Sequence, residues 1–327
     1  MRLVQAYRRV AEDTRRTIAS KKAQRLKKAF AGQQLNDGWA AKAVFLLFLS
    51  VFAYLYMYPV MYMVSTMFKS LSDLLDPAVG WIPRDVNWNN ISVAWTGLEY
   101  PAAFMHTFVI AACCSLFQVI VCAMTGYTLA RQQFPGKNVL FVLIILTFMV
   151  PPQITIIPLY LIYNKLGWLN TPFVFLIPAL FGQGLRSALF IIIFRQFFAS
   201  QPKSLEEAAK LDGASAFRMF VRVMLPLARA ACLVVFLFSF IWYWNAYYEP
   251  SMFLENNFTP LSVQLSTMPQ RLSGTFVGDI YNLNTKDPLT EGPKMAAAVL
   301  IILPPLLLYM FTQRWFVEGI ERTGAIE

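Results

Sequence analysis

Long apolar runs dominate this sequence and limit the folds that it can adopt. A run of about 20 residues is long enough to cross a hydrocarbon core of about 30 Å as a helix. We predict six spans, at about Ala41–Val64, Thr107–Ala130, Val139–Tyr163, Pro172–Phe198, Val223–Tyr247 and Met295–Val317. Backbone amides in lipid need internal partners, and continuous apolar runs argue against the alternating strands of a barrel. The predicted fold class is therefore all-α, a polytopic membrane protein with six transmembrane helices.

The distribution of charge predicts how these helices are oriented. The chain has 57% hydrophobic and 14% charged residues, too apolar for an ordinary soluble domain, and a net charge of +10. Most of its 28 lysine and arginine residues fall in 1–42, 131–137, 195–229 and beyond 313. Basic residues concentrate in cytoplasmic segments because they resist translocation. We therefore predict a multi-pass protein with both termini in the cytoplasm, and we expect lipid rather than nucleic acid as the partner of its positive charge.

Two regions flank or interrupt the predicted spans. Residues 1–40 form a basic cytoplasmic segment ahead of the membrane domain at 41–327. This segment either orients the chain and lies on anionic headgroups or contacts a cytoplasmic subunit. Residues 248–294 form a large outer loop. The four cysteines fall within spans, so disulfides are not expected, and the only histidine, His106, has no partner motif for a metal site.

A polar stretch at about 200–222 lies between two apolar runs and is predicted to face the cytoplasm. Ser204 followed by Glu207 is a capping-box pattern, and Asp212-Gly213 is expected to end the helix because glycine readily adopts positive φ. Glu206 and Glu207 also favour the positive end of the helix dipole. The candidate contact residues for a soluble partner are Ser204, Glu206, Glu207, Ala208, Ala209, Leu211, Asp212, Gly213 and Ala214. Composition alone would fit a generic connection.

The order of short motifs in this stretch is more specific than its composition. Glu207-Ala208-Ala209, then Asp212-Gly213-Ala214, then Leu225-Pro226-Leu227 resembles the EAA loop of permease subunits in ATP-binding-cassette (ABC) importers. Other similar segments are 127–137, 151–171, 195–198 and 244–245. Over 41–327 the chain resembles the smaller permease of maltose-type importers. It departs from the family pattern at His106, where asparagine is common, and at Ala230, where proline is frequent.

The resemblance implies a permease that imports a carbohydrate, with an oligosaccharide as the expected solute, across the bacterial inner membrane. It implies that the loop helix docks into a groove on an ATPase subunit, whose closure switches the cavity between inward-facing and outward-facing. The implied partners are a second homologous permease, two ATPase subunits and an extracytoplasmic solute-binding protein. The sequence has no G-x-x-x-x-G-K-[ST] phosphate loop. The chain is therefore not expected to be an enzyme or to bind a cofactor, and ATP and Mg²⁺ are expected on the ATPase subunits.

Polar groups inside the spans mark candidates for the solute path, because polar side chains are costly in lipid. The candidates are Gln118, Gln183, Arg186 and Asn245. An arginine at mid-membrane costs at least about 2.5–3.5 kcal/mol unless it is paired or hydrated. We expect Arg186 to contact either an anionic solute or a carboxylate of a partner subunit. The aromatic residues at 242–248 are interpreted as an interfacial belt rather than as a stacking surface for sugar.

Three other functions remain open at this point. An ABC permease for a non-sugar solute, such as a polyamine or a phosphate ester, would share the loop. An ATP-independent carrier would need its own coupling groups in the spans, yet no Asp or Glu lies within them. A structural membrane scaffold would not require the EAA pattern.

Overall fold

The computed structural model describes residues 39–255, 258–276 and 291–324, so residues 1–38 of the predicted basic segment lie outside the described part. Every regular element in these ranges is helical, which confirms the all-α class. The helices are α1 (Trp39–Thr66), α2 (Leu71–Leu75), α3 (Asn89–Gly97), α4 (Tyr100–Arg131), α5 (Lys137–Met149), α6 (Pro152–Lys165), α7 (Phe173–Leu180), α8 (Ser187–Ser200), α9 (Ser204–Leu211), α10 (Ala216–Met219), α11 (Leu225–Leu227), α12 (Arg229–Asn245), α13 (Tyr248–Phe253), α14 (Leu261–Phe276) and α15 (Glu291–Gly324). A π-helical turn, Phe220–Met224, joins α10 to α11.

Three of the predicted spans are continuous helices. By length and composition, α1, α4 and the Glu291–Trp315 part of α15 can each cross a membrane. They cover the predictions at 41–64, 107–130 and 295–317. The chain divides after Val64, so α1 forms most of the described part of one unit and the helices from Ser65 onward form the other.

The other three predicted spans are broken, which the apolar pattern alone did not indicate. Helices α5 and α6 meet at 98°, because a proline pair, Pro151-Pro152, removes amide donors and disfavours the helical conformation before it. Helix α12 lies at 78° to Ala216–Leu227. The predicted span 172–198 consists of α7 and α8, separated by residues 181–186. The described residues thus contain three spanning helices, or up to five if each bent pair counts as one span.

Helix α4 is the central element of the second unit. It contacts α7, α8 and α12, while α12 also packs on α15. At Gly126, an added Cβ would lie 2.6 Å from the Cβ of Phe194 and 2.9 Å from the amide nitrogen of Arg195, so α4 and α8 approach each other closely there. Around this contact lies the loop-side cluster, which comprises Cys122, Ala123, Tyr127, Leu129, Phe190, Ile191, Phe194, Phe198, Met219, Phe220, Met224, Ala228, Ala231 and Val235.

The predicted outer loop contains regular structure. It contains α13 and α14, although residues 256–257 and 277–290 lie outside the described part. The segment between α1 and α4 is also ordered by buried polar contacts. Asn90 is buried and its Nδ2 donates to the carbonyls of Met67 and Lys69, each at 2.9 Å.

Candidate functional site

Helix α9 is the short helix predicted in the polar stretch, but it begins differently from the prediction. The N-cap position is Lys203, Ser204 is already helical, and no side chain caps this end. The carbonyl of Lys203 accepts from the amides of Glu206 and Glu207 at 3.0 and 3.1 Å. The predicted capping box of Ser204 and Glu207 is therefore wrong, since its serine lies one residue too late to cap.

The end of α9 agrees with the prediction at Asp212-Gly213. Gly213 has φ of 72°, in the left-handed region. Its amide donates to the carbonyl of Lys210 at 3.0 Å, and the amide of Ala214 donates to the carbonyl of Ala209 at 3.0 Å. This pair of bonds is a Schellman motif, which glycine favours because it has no Cβ to strain the left-handed conformation.

The chain then turns into a second helical stretch. Ser215 caps α10, with its hydroxyl accepting from the amide of Arg218 at 3.4 Å. The stretch continues through the π-helical turn and α11 to the 78° bend before α12. The predicted order of short helix, bend and second helix is thus present.

A buried ion pair fastens α9 to the end of α4. The Oε1 atom of Glu206 lies 3.3 Å from the Nε atom of Arg131, and the two side chains are 10% and 6% exposed. The guanidinium of Arg131 also donates to the carbonyl of Gln201, just before α9. Glu206 was predicted among the residues that face a partner, but it points into the protein. We therefore separate it from that group as an anchoring residue.

Aromatic side chains extend this attachment into the loop-side cluster. The ring of Tyr127 on α4 packs against Phe198 and Phe220, with ring centroids 5.5 and 5.3 Å apart. The hydroxyl of Tyr127 also lies 3.3 Å from the sulfur of Met219. Residues before and after α9 therefore contact the same face of α4, and the loop is held at both ends.

The opposite face of α9 is exposed to solvent, and large apolar side chains lie at its C-terminal end. Leu211 is 90% exposed and Phe217 on α10 is 70% exposed. The other exposed members of the predicted contact group are Ser204, Glu207, Ala208, Asp212 and Gly213, while Ala209 and Ala214 are half-buried. Phe217 was not predicted, although it is the large apolar residue that follows the EAA and DGA motifs. A loop that is held at both ends thus presents two large exposed apolar side chains.

A second set of polar residues lies where α7 and α8 are separated. Gln118 on α4 is fully buried, and its Nε2 donates to the carbonyl of Leu185 at 2.7 Å and to the hydroxyl of Ser187 at 2.8 Å. Its Oε1 accepts from Ser239 on α12. Gln118 was predicted to line the solute path, yet it has no exposed surface in this structure. Its hydrogen bonds hold the break between the two helices.

The remaining path candidates are exposed. Arg186 has φ of 60° and its guanidinium carbon lies 5.7 Å from the centroid of the Trp242 ring. Gln183, in the same break, and Asn245, at the end of α12, are also exposed. Arg186 is therefore not buried by its own chain, and its position at a break rather than within a helix was missed.

The predicted aromatic belt at 242–248 is wrong for its two central residues. Tyr243 and Trp244 are buried in the core, where the hydroxyl of Tyr243 accepts from the amide of Leu185 at 2.9 Å. The indole of Trp244 donates to the carbonyl of Ile301 at 3.0 Å. His106 stacks on Phe258 at 4.1 Å between ring centroids, and the described residues contain no group of three or more His, Cys, Asp or Glu that could hold a metal.

Comparison with known proteins assigns these features to a family. Residues 118–322 match the family described as "Binding-protein-dependent transport system inner membrane component". The chain belongs to this family. The matched range includes α9 and the break before α8, so both sets of residues described above lie within the family's domain.

The permease is also similar to individual proteins. It is 30% identical over 247 residues to the sn-glycerol-3-phosphate transport system permease protein UgpE of Yersinia pestis bv. Antiqua (strain Antiqua), covering 73% of this chain and 81% of that one. It is 29% identical over 285 residues to the probable ABC transporter permease protein YurM of Bacillus subtilis (strain 168), covering 85% and 87%. A bacterial ABC transporter involved in import of the acidic polysaccharide alginate has a chain with the same fold, with a TM-score of 0.70, 23% identity, and coverage of 84% and 96%.

These findings confirm the resemblance to ABC importer permeases and the permease function that it implied. The chain is a multi-pass permease of the inner membrane and belongs to a transport system that depends on a binding protein. Membership of a transport family does not fit a structural scaffold, and the similarity to ABC permeases does not fit an ATP-independent carrier.

Proposed function

We propose that this permease imports a carbohydrate or carbohydrate derivative, with an oligosaccharide as the favoured solute. The support is the resemblance of 151–171, 195–198 and 244–245 to the sugar-importer branch, together with the substrates named for two similar proteins, a polyol phosphate and an acidic polysaccharide. The phosphate ester named for one relative makes a small phosphorylated polyol the second candidate.

We infer that α9 and α10 form the coupling element that contacts the ATPase. The observation that carries this proposal is the pair of exposed residues Leu211 and Phe217 on a loop that is fixed by Arg131 and Glu206. Exposed apolar side chains gain stability when a partner covers them, at roughly 25 cal/mol per Å². The attachment needs to be rigid, because a flexible loop would deform when the ATPase moves and would not transmit that movement to α4.

The rest of the assembly follows from the same proposal. A second homologous permease supplies the other half of the solute path, and two ATPase subunits bind ATP and Mg²⁺, so that this chain itself binds no cofactor. An extracytoplasmic protein delivers the solute. Both termini lie in the cytoplasm, on the side of the 200–222 loop, in keeping with the distribution of basic residues.

The coupling proposal is tested by disrupting the exposed face of α9. Leu211→Ser and Glu207→Lys are expected to lower both the amount of ATPase that co-purifies with the permease and the ATP hydrolysis stimulated by loaded binding protein. The matched control is Leu75→Ser, since Leu75 is 73% exposed on a short helix outside the loop. If Leu211→Ser and Glu207→Lys behave like Leu75→Ser, the exposed face is not the contact.

The solute proposal is tested with the complete importer in proteoliposomes and its cognate binding protein. Uptake is measured for a neutral hexose trisaccharide, a uronic-acid trisaccharide, sn-glycerol 3-phosphate and a polyamine. We expect ATP-dependent uptake of at least one carbohydrate probe. Uptake of the polyamine alone would overturn the proposal, and uptake of sn-glycerol 3-phosphate alone would favour the second candidate.

A further inference from the structure

The break between α7 and α8 presents an arginine in a conformation that its own preference disfavours. Arg186 has φ of 60°, in the left-handed region that residues other than glycine seldom adopt. Such residues persist where the surrounding structure fixes them, and they are concentrated at functional sites. The question is therefore what fixes Arg186 and what its side chain is placed to do.

Buried polar contacts hold the residues on both sides of Arg186. The amide of Leu185 donates to the hydroxyl of Tyr243 at 2.9 Å, and its carbonyl accepts from Gln118 at 2.7 Å. Ser187, on the other side, is buried and its hydroxyl accepts from Gln118 at 2.8 Å. Gly184 packs so tightly that an added Cβ would lie 2.5 Å from the Tyr243 hydroxyl. The left-handed conformation is thus imposed by a rigid core.

The side chain of Arg186 is left available by this arrangement. It is exposed, and its guanidinium carbon lies 5.7 Å from the Trp242 ring centroid, a cation–π distance that leaves its N–H groups free to donate. Among the described residues, no carboxylate lies within ion-pair distance of it. This contrasts with Arg131, whose charge is matched inside the chain by Glu206.

We propose that Arg186 and Trp242 form a preorganised subsite for the carboxylate or phosphate group of an anionic carbohydrate solute. The guanidinium presents a planar fork that matches carboxylate and phosphate oxygens in two parallel hydrogen bonds. The adjacent indole, which also packs against Phe190 and Phe238, lies beside the guanidinium and orients it. The proposal rests on the proposed function and narrows it to anionic carbohydrates. The competing occupant is a carboxylate of the second permease.

The test compares anionic and neutral probes in the reconstituted importer with its binding protein. The probes are a uronic-acid trisaccharide against a neutral hexose trisaccharide, and sn-glycerol 3-phosphate against glycerol. Arg186→Gln is expected to raise the KM for the anionic probe that the parent transports by about tenfold or more, without changing neutral uptake or assembly. Arg186→Lys is expected to lose less, because it keeps the charge but not the fork. Arg314→Gln is the matched control, since Arg314 is also exposed and lies 5.1 Å from the ring of Trp315.

Three results would overturn the subsite. Equal loss of anionic and neutral uptake would show a general defect, and loss of complex assembly in Arg186→Gln would show a pair with the second permease. Uptake of neutral probes alone by the parent would show that the solute carries no anionic group. In that last case the proposed import of carbohydrate is still supported, but the proposed subsite is wrong. If no carbohydrate probe is taken up, both the proposed function and the proposed subsite are wrong.

Discussion

The loop anchor, formed by Arg131 and Glu206, and the helix break around Arg186 are both attached to α4, but by different kinds of contact. In both, a helix end is held by a polar side chain of α4, Arg131 in one and Gln118 in the other. The two α4 residues are about 20 Å apart along the helix. The anchor buries a charged pair, whereas the break uses neutral amide and hydroxyl groups and turns its one cation outward.

The difference follows from what each site does. A buried pair at the end of a span needs only the partner that the chain provides, so its charges are matched and the loop is rigid. The guanidinium of Arg186 is exposed at the break, so its charge is available to a solute or to another subunit. The comparison predicts that the anchor governs stability and coupling for every solute, and that the break governs which solute is moved.

The largest expected effect comes from breaking the anchor. Arg131→Gln or Glu206→Gln alone leaves an unmatched buried charge, which costs about 3–5 kcal/mol in the free energy of unfolding. The double variant Arg131→Gln/Glu206→Gln is expected to recover part of this loss, because no charge is then left unmatched. Unfolding of the purified complex in detergent measures both quantities.

The control for this prediction is an exposed pair. The Nζ of Lys294 lies 3.2 Å from the Oε1 of Glu291, and both side chains are exposed to solvent. Lys294→Gln is expected to cost at most about 1 kcal/mol. If Arg131→Gln costs no more than Lys294→Gln, the anchor contributes nothing and the contrast between the two regions is lost.

The next largest effect is expected at the contact of α4 and α8, which supports both regions. Gly126→Val places side-chain atoms where the Cβ alone would lie 2.6 Å from Phe194. Overpacking of this kind costs about 1–3 kcal/mol, and more where backbone must move. Gly80→Val is the control, because an added Cβ at Gly80 meets no atom within 4 Å. Equal melting temperatures for the two variants would show that the helices are not in close contact.

A somewhat smaller effect is expected at the break. Gln118→Leu leaves the Leu185 carbonyl and the Ser187 hydroxyl without their donor, at about 1–3 kcal/mol for an unsatisfied buried group. The substitution also removes a hydrogen bond that fixes the backbone next to Arg186. We expect preference for an anionic probe over its neutral counterpart to fall along with thermal stability. Gln196→Leu, at an exposed position on α8, should change neither. If Gln118→Leu is destabilised but still prefers the anionic probe, Gln118 does not support the subsite.

The smallest effect on stability is expected at the loop's glycine. Gly213→Val meets no neighbouring atom but forces a branched residue into φ of 72°, which costs about 1–2 kcal/mol. Gly213→Asn is expected to cost less, because asparagine tolerates this region. Stimulated ATP hydrolysis and uptake should fall in the valine variant and recover in the asparagine variant. Equal activities for the two would mean that the Schellman turn does not matter for coupling.

Features encoded by neighbouring residues were predictable from the sequence. The apolar runs predicted the helical membrane class, and Asp212-Gly213 predicted the end of α9. Pro151-Pro152 and the glycines at 182 and 184 indicate breaks in the spans. We nevertheless predicted continuous helices there, because the apolar runs are long. The capping box failed because its pattern does not determine which residue begins the helix.

Features that depend on distant residues could not be predicted in this way. Arg131 and Glu206 are far apart in the sequence, and only packing of α9 against α4 shows that Glu206 turns inward while Glu207 faces out. Similarly, Gln118 has the polarity of a path residue, and its hydrogen bonds to Leu185 and Ser187 become apparent only when α4 and α8 are placed together.

The central claim is that the anchor couples ATP hydrolysis to transport while the break selects the solute. The most direct test is the amount of solute transported per ATP hydrolysed, measured for an anionic and a neutral probe in Arg131→Gln/Glu206→Gln and in Arg186→Gln. We expect the double variant to lower this ratio equally for both probes. We expect Arg186→Gln to lower uptake of the anionic probe and to leave the ratio for the neutral probe unchanged. A solute-selective loss in the double variant, or an equal fall for both probes in Arg186→Gln, would contradict the central claim.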